Sequence, residues 1–261
     1  MLWLGVATFG IASLLSTNRL VRPLLVTGIG LALSAFVRPH IAGIWIAGLL
    51  PALLVALFRR RHGRSTGMAL GLKRLGLVIA IGVAAVALSV VASATVKYLN
   101  PDGDEAEVDS TSITEILHET TRRTSEAGST ITPPKVASPL DWPVAAVRTL
   151  TRPLLIEARG TAQLLTALEA SVFLVCCLGA YRRLLHIPKL LYTNPYIAFA
   201  MTSLFLGGLA YSSFANLGVL ARQRSLVVPF MVLLPCLPPL PARGVSAGAG
   251  ASDSTLTPVV A

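Results

Sequence analysis

The stretch Ile41–Arg64, "IAGIWIAGLLPALLVALFRRRHGR", decides the fold: an uncharged apolar run over 41–58 meets the block Arg59-Arg60-Arg61-His62-Gly63-Arg64. Eighteen residues at ~1.5 Å each cover ~27 Å, close to the ~30 Å of a bilayer's hydrocarbon layer. The cations that follow are costly in hydrocarbon and act as a cytoplasmic stop. The chain as a whole repeats this contrast. Apolar residues are 54% of its 261 and charged ones only 13%, the balance of a polytopic membrane protein.

Further apolar runs lie at about 2–16, 24–37, 76–96, 161–181, 195–220 and 226–240. The expected fold is therefore all-α, a transmembrane helical bundle of six or seven spans with one extracytoplasmic loop carrying a short helix. The runs at 2–16, 24–37 and 226–240 are short, and fit either spans with snorkelling arginine ends or re-entrant hairpins.

Basic residues orient the bundle. Arg19, Arg22, the 59–64 block with Lys73 and Arg74, Arg182, Arg183, Lys189 and Arg243 fall at one set of ends; Arg38, Arg222 and Arg224 fall at the other. Because cationic short loops stay inside, the chain is expected in the cell membrane with its N-terminus outside and its C-terminus cytoplasmic. Met1 opens directly into an apolar run without a basic leader or a cleavage site, the pattern expected of a chain with further sequence upstream.

The organisation follows: N-terminal helices over 1–98, a polar extracytoplasmic loop over 99–143, an interfacial helix over 144–160, C-terminal helices over 161–240, and a disordered cytoplasmic tail over 241–261. Nine of the twelve acidic residues lie between Tyr98 and Trp142. Within that loop Ser112 and Glu115 have capping-box spacing, with Ile113, Ile116 and Leu117 as an apolar stripe. The prolines of "TITPPKVASPLDWP" then favour an extended strap, and Trp142 an interfacial anchor. The helix after it, carrying Arg148, Arg152, Glu157 and Arg159, is too charged for the bilayer centre.

On this topology Arg38, His40, Arg152, Glu157, Arg159, Arg222 and Arg224 converge on the outer side, where the positive-inside rule gives no reason for arginine. Arginine's planar fork grips phosphate oxygens bidentately and cannot be neutralised, so these residues suit a lipid-linked pyrophosphate; equally, they suit ordinary headgroups and helix ends. Pro39 breaks the apolar run and leaves backbone groups needing partners, and His40 beside it is either a general base or a helix-end hydrogen bonder. Glu169 lies ~12 Å inside its span and needs an arginine or a proton. Asn216 and Ser212 on the sixth span can line a cavity below Arg222.

Several chemistries are set aside. Cys176, Cys177 and Cys236 make neither a metal cage nor a disulfide framework, and no phosphate-cradling glycine loop or nucleophile elbow occurs. No metal and no cofactor is expected. The net charge of +10 resides mostly in basic membrane-flanking loops, so no nucleic-acid partner is expected.

"SPLDWPVAAVRTLTRPLLIEARGTAQLLTALEA" followed by "NLGVLARQRSLVVPF" resembles the C-terminal half of polytopic actinobacterial proteins of exopolysaccharide and surface-glycan synthesis. These are broadly similar to oligosaccharide repeat-unit polymerases and lipid-sugar-dependent membrane glycosyltransferases. The matching residues are Arg38-Pro39-His40, Arg152-Pro153, Glu157, Glu169, and Asn216, Gly218, Leu220, Arg222, Gln223 and Arg224. The resemblance implies a polymerase or glycosyltransferase acting on polyprenyl-pyrophosphate-linked glycans at the outer leaflet. Arg38, Arg152, Arg159, Arg222 and Arg224 would hold the pyrophosphate, with Glu157 or His40 as base; membrane lipid, the polyprenyl-linked glycan and other polysaccharide-assembly proteins would be its partners. The transferases keep an acidic residue in their first outer loop, whereas none precedes Asp102 here. A transporter or flippase of the same lipid, using Glu169 as a coupling carboxylate, and a non-catalytic scaffold or truncated fragment are the alternatives.

Overall fold

The computed structural model describes residues 2–17, 21–61, 68–99, 117–122, 124–125, 133–134, 136, 138–157 and 161–237. Helices dominate, and no strand occurs among the described residues. The helices are α1 (Leu2–Ser16), α2 (Val21–Val37), α3 (Pro39–Arg61), α4 (Met68–Leu99), α5 (residues 117–122), α6 (Trp142–Thr151), α7 (Thr161–Gly179), α8 (Tyr181–Leu184), α9 (Ile187–Thr193), α10 (Pro195–Tyr211), α11 (Leu217–Arg224) and α12 (Val228–Leu233). Among the described residues one helix is long and apolar enough to cross a membrane, over Pro39–Phe58. Shorter apolar helices run over Leu2–Ser16, Val21–Val37, Leu75–Val90, Gln163–Gly179 and Pro195–Tyr211.

Helix α3 lies at the centre, against α2, α4 and α10. Its Trp45 meets Phe199 of α10 edge-on at 5.9 Å and Phe230 of α12 at 5.5 Å, while Phe199 and Phe230 stand perpendicular at 5.3 Å. Edge-to-face geometry sets each ring's positive rim against a negative face, adding ~0.5–1.5 kcal/mol per pair to their burial. Small residues bring the backbones together. A Cβ at Gly10 or at Gly30 would stand 2.6 Å from the backbone nitrogen of Thr27 or of Ala7, so α1 and α2 touch main chain to main chain. Gly48 gives Ser203 of α10 the same access to α3.

Three expected helices are cut differently. The run 195–220 divides, because α10 stops at Tyr211 and the Asn216 side chain accepts from the N–H groups of Gly218 and Val219, starting α11 afresh. Asn216, expected on one long helix with Ser212, therefore caps a second helix and is not part of α10. Among its described residues the run 226–240 is helical over Val228–Leu233; Pro235 carries no N–H with which to extend it. In place of one helix over 144–160, α6 ends at Thr151 before Pro153, and a single 3-10 turn follows at Leu155–Glu157. The tail over 241–261, and Ser112, Ile113, Glu115 and Ile116, lie outside the described residues.

The loop's described parts pack on the bundle. Leu117 and Val136 are buried with Ala145 of α6 and Leu209 of α10, and Trp142 packs against the same cluster. The indole Nε1 of Trp142 is buried without a partner among the described residues, while the ring as a whole is only partly buried. Gly208 permits the arrangement: its Cβ position is 2.9 Å from the carbonyl oxygen of Ala146.

Candidate functional site

The junction between α2 and α3 brings Arg38 to one end of the bundle. Pro39 occupies the first position of α3, where its missing N–H costs nothing. The Arg38 carbonyl accepts from Ile41 (3.1 Å) and Ala42 (3.4 Å), and the Arg38 N–H donates to Ser34 (2.7 Å). The main-chain N–H and carbonyl of Arg38 are thus both bonded across the break. Arg38 is half-buried and its Nη1 donates to Gln223 Oε1 of α11 at 3.3 Å. His40, in the first turn of α3, is exposed.

Helix α11 is held from both sides. Ahead of it, the Ala215 N–H donates to Thr124 Oγ1 (3.0 Å), and Thr121 Oγ1 donates to the Ser213 carbonyl (2.9 Å). At its last residue, Arg224 is only 2% exposed. The Arg224 guanidinium donates through Nη1 to the Arg152 carbonyl at 2.9 Å, and through Nη2 to the Thr166 carbonyl and Glu169 Oε2, both at 3.5 Å. One planar fork therefore ties α11 to the end of α6 and the middle of α7. The Glu169 side chain is 60% exposed while that of Arg224 is 3% exposed, so the carboxylate reaches inward from the surface of α7 to meet a buried cation.

Arg222 and Arg224 consequently do different things. Positions two apart on a helix differ by ~200° in direction. Arg222 is exposed and Arg224 points into α7. Arg152 enters the arrangement through its carbonyl, as Arg224's acceptor. Among the described residues Arg38 and Arg222 have no ion pair. Arg38 engages one of its five N–H donors with neutral Gln223, and both arginines keep a full positive charge for an anion. Glu157 closes the 3-10 turn; its side chain, and the whole of Arg159, lie outside the described residues.

Thr121 and Thr124 join this end of the bundle without having been singled out in the sequence, and Gln223 was given no role there beyond its place in the Arg-Gln-Arg match. A signal for Gln223 existed: between two arginines pointing apart, the middle residue must face a third direction, here the α2–α3 junction. The two threonines had none, because their acceptor and donor lie about ninety residues away. Among the described residues no group of three histidine, cysteine or acidic side chains can hold a metal ion, and Cys176, Cys177 and Cys236 are free. No protein-family model, curated protein or solved structure matches the chain.

Proposed function

We propose that this chain is a multi-pass membrane protein of surface-polysaccharide assembly, a polymerase or glycosyltransferase acting on polyprenyl-pyrophosphate-linked glycans at the outer leaflet. The observation that carries the reading is the meeting of Arg38 with the Gln223-bearing helix that also carries Arg222, two unneutralised cations from opposite ends of the chain at one end of the bundle. The apolar helices and the twelve-to-three division of cations support a bundle of six or seven spans with that end outside.

In this reaction a sugar hydroxyl attacks the anomeric carbon of the lipid-linked sugar. A new C–O bond forms, and the bond to the lipid pyrophosphate breaks with the electron pair leaving on the phosphate oxygen. Arg38 and Arg222 stabilise that departing charge, and His40 or Glu157 receives the hydroxyl proton. Loss of polymer in cells carrying the Arg38→Ala/Arg222→Ala double variant, with the protein still in the membrane fraction, is the expected result; normal polymer would overturn the assignment.

A second reading has one observation in its favour. An acid–base pair halfway along an apolar helix, Glu169 with Arg224, is the type of element that couples protonation to movement in transporters. A Glu169→Gln variant that accumulates lipid-linked glycan on the inner leaflet would favour a flippase, and one that accumulates unpolymerised units outside would favour the polymerase.

A further inference from the structure

We infer that Arg224 is a positioning residue: it does not touch the anion but pins α11 so that Arg222 and Gln223 are held opposite Arg38. The inference rests on the anion site proposed above. Three features of the molecule carry it.

The first is burial. At 2% exposure, with its fork directed at the Arg152 and Thr166 carbonyls and Glu169, Arg224 has its charge and its donors turned toward protein. A phosphate competing for that fork would have to enter a site that leaves Arg224 only 2% exposed and displace its 2.9 Å bond to the Arg152 carbonyl. The second is the location of the three acceptors. They belong to the end of α6 and to α7, so the one fork joins α11 to two segments that lie 72 and 55–58 positions away in the chain. The third is the other end of α11, already fixed by the Asn216 cap and by the Ala215 to Thr124 bond. An eight-residue helix anchored at its cap and at its last residue has little freedom to rotate. Its rotation is what decides whether Gln223 reaches Arg38 and where Arg222 points.

The test separates a pin from a ligand. The full chain is placed in nanodiscs, its three cysteines replaced by serine, with spin labels at Ser225→Cys and Tyr192→Cys, both exposed positions. The distance between labels and the affinity for farnesyl diphosphate are measured on the same samples. Arg222→Ala should weaken binding about tenfold, the loss of one charge-assisted contact, with the distance distribution unchanged. Arg224→Ala should weaken binding by a similar factor and broaden the distribution. Arg224→Lys, a point charge that can still donate to the Arg152 carbonyl or to Glu169 but lacks the fork, should fall between in both readouts. Should Arg224→Ala fail to fold, the lysine variant carries the same comparison.

Binding lost in Arg224→Ala, or weakened in Arg224→Lys, with an unmoved distance distribution would make Arg224 a ligand and overturn the inference. If the unsubstituted chain does not bind farnesyl diphosphate, the anion site fails on its own; a broadened distance in Arg224→Ala then still upholds the pin, and an unchanged one still removes it.

Discussion

Replacing Gly208 by alanine should destabilise the protein, although alanine is the better helix former. The added methyl would lie 2.9 Å from the Ala146 carbonyl oxygen and 3.1 Å from the Ala146 Cα and Cβ. Ordinary contact begins near 3.4 Å. The obstructing atoms include backbone, so rotamer changes cannot relieve the overlap and α6 must retreat from α10 by about half an ångström. Overpacking of this type costs ~1–3 kcal/mol, whereas glycine to alanine in a helix recovers ~1 kcal/mol. The net expectation is a loss of up to about 2 kcal/mol. For a chain of this size each kcal/mol moves Tm by ~2–4 °C, so the midpoint should fall by up to ~8 °C. Gly82 supplies the internal control, since a Cβ there meets nothing within 4 Å and the propensity gain is unopposed. Thermal unfolding of the detergent-solubilised chain, followed by tryptophan fluorescence, should therefore move in opposite directions for Gly208→Ala and Gly82→Ala. A Gly208→Ala protein as stable as the Gly82→Ala one would refute the close approach of α6 to α10, and with it the delivery of the Arg152 carbonyl to Arg224.

Three further outcomes follow from single contacts. Asn216→Ala removes the acceptor for two N–H groups at the start of α11 and should cost ~0.5–2 kcal/mol, seen as faster amide exchange at Gly218 and Val219. Thr124→Val keeps the shape of the side chain but leaves the Ala215 N–H without its acceptor; the α10–α11 connection should be cut sooner in limited proteolysis, while α3 remains protected. Ser203 buries a hydroxyl that has no partner among the described residues and faces Gly48, so Ser203→Ala should raise Tm, in keeping with the ~1–3 kcal/mol attached to an unsatisfied buried polar group.

Much of this architecture can be read from hydropathy and proline alone. The apolar runs at 2–16 and 161–181 reappear almost residue for residue as α1 and α7, because hydrophobic length is a local property. Pro39 marks the start of α3 for an equally local reason, its fixed φ and absent N–H. The division of the sixth apolar run was harder. Ser212 to Ala215 is as apolar-tolerant as its neighbours, and only Asn216, a capping residue two positions before Gly218, signals the restart. Burial separated Arg222 from Arg224, which composition treats alike; the helical angle between them was readable, but not which one faced α7. The carboxylate inside the span was expected to need an arginine, yet selecting Arg224 from several required a contact across fifty-five positions. That information lies in packing, where residues distant in sequence compete for one acceptor.

The placement of the Arg38–Gln223–Arg222 end outside the cell is the claim on which the proposed chemistry depends. Labelling intact cells with a membrane-impermeant maleimide, in a chain otherwise lacking cysteine, tests it most directly. Ser110→Cys, in the acidic loop, should be labelled in intact cells, and Ser65→Cys, beside the arginine block, only after permeabilisation. Labelling of Ser65→Cys in intact cells, with Ser110→Cys protected, would invert the topology and contradict the account.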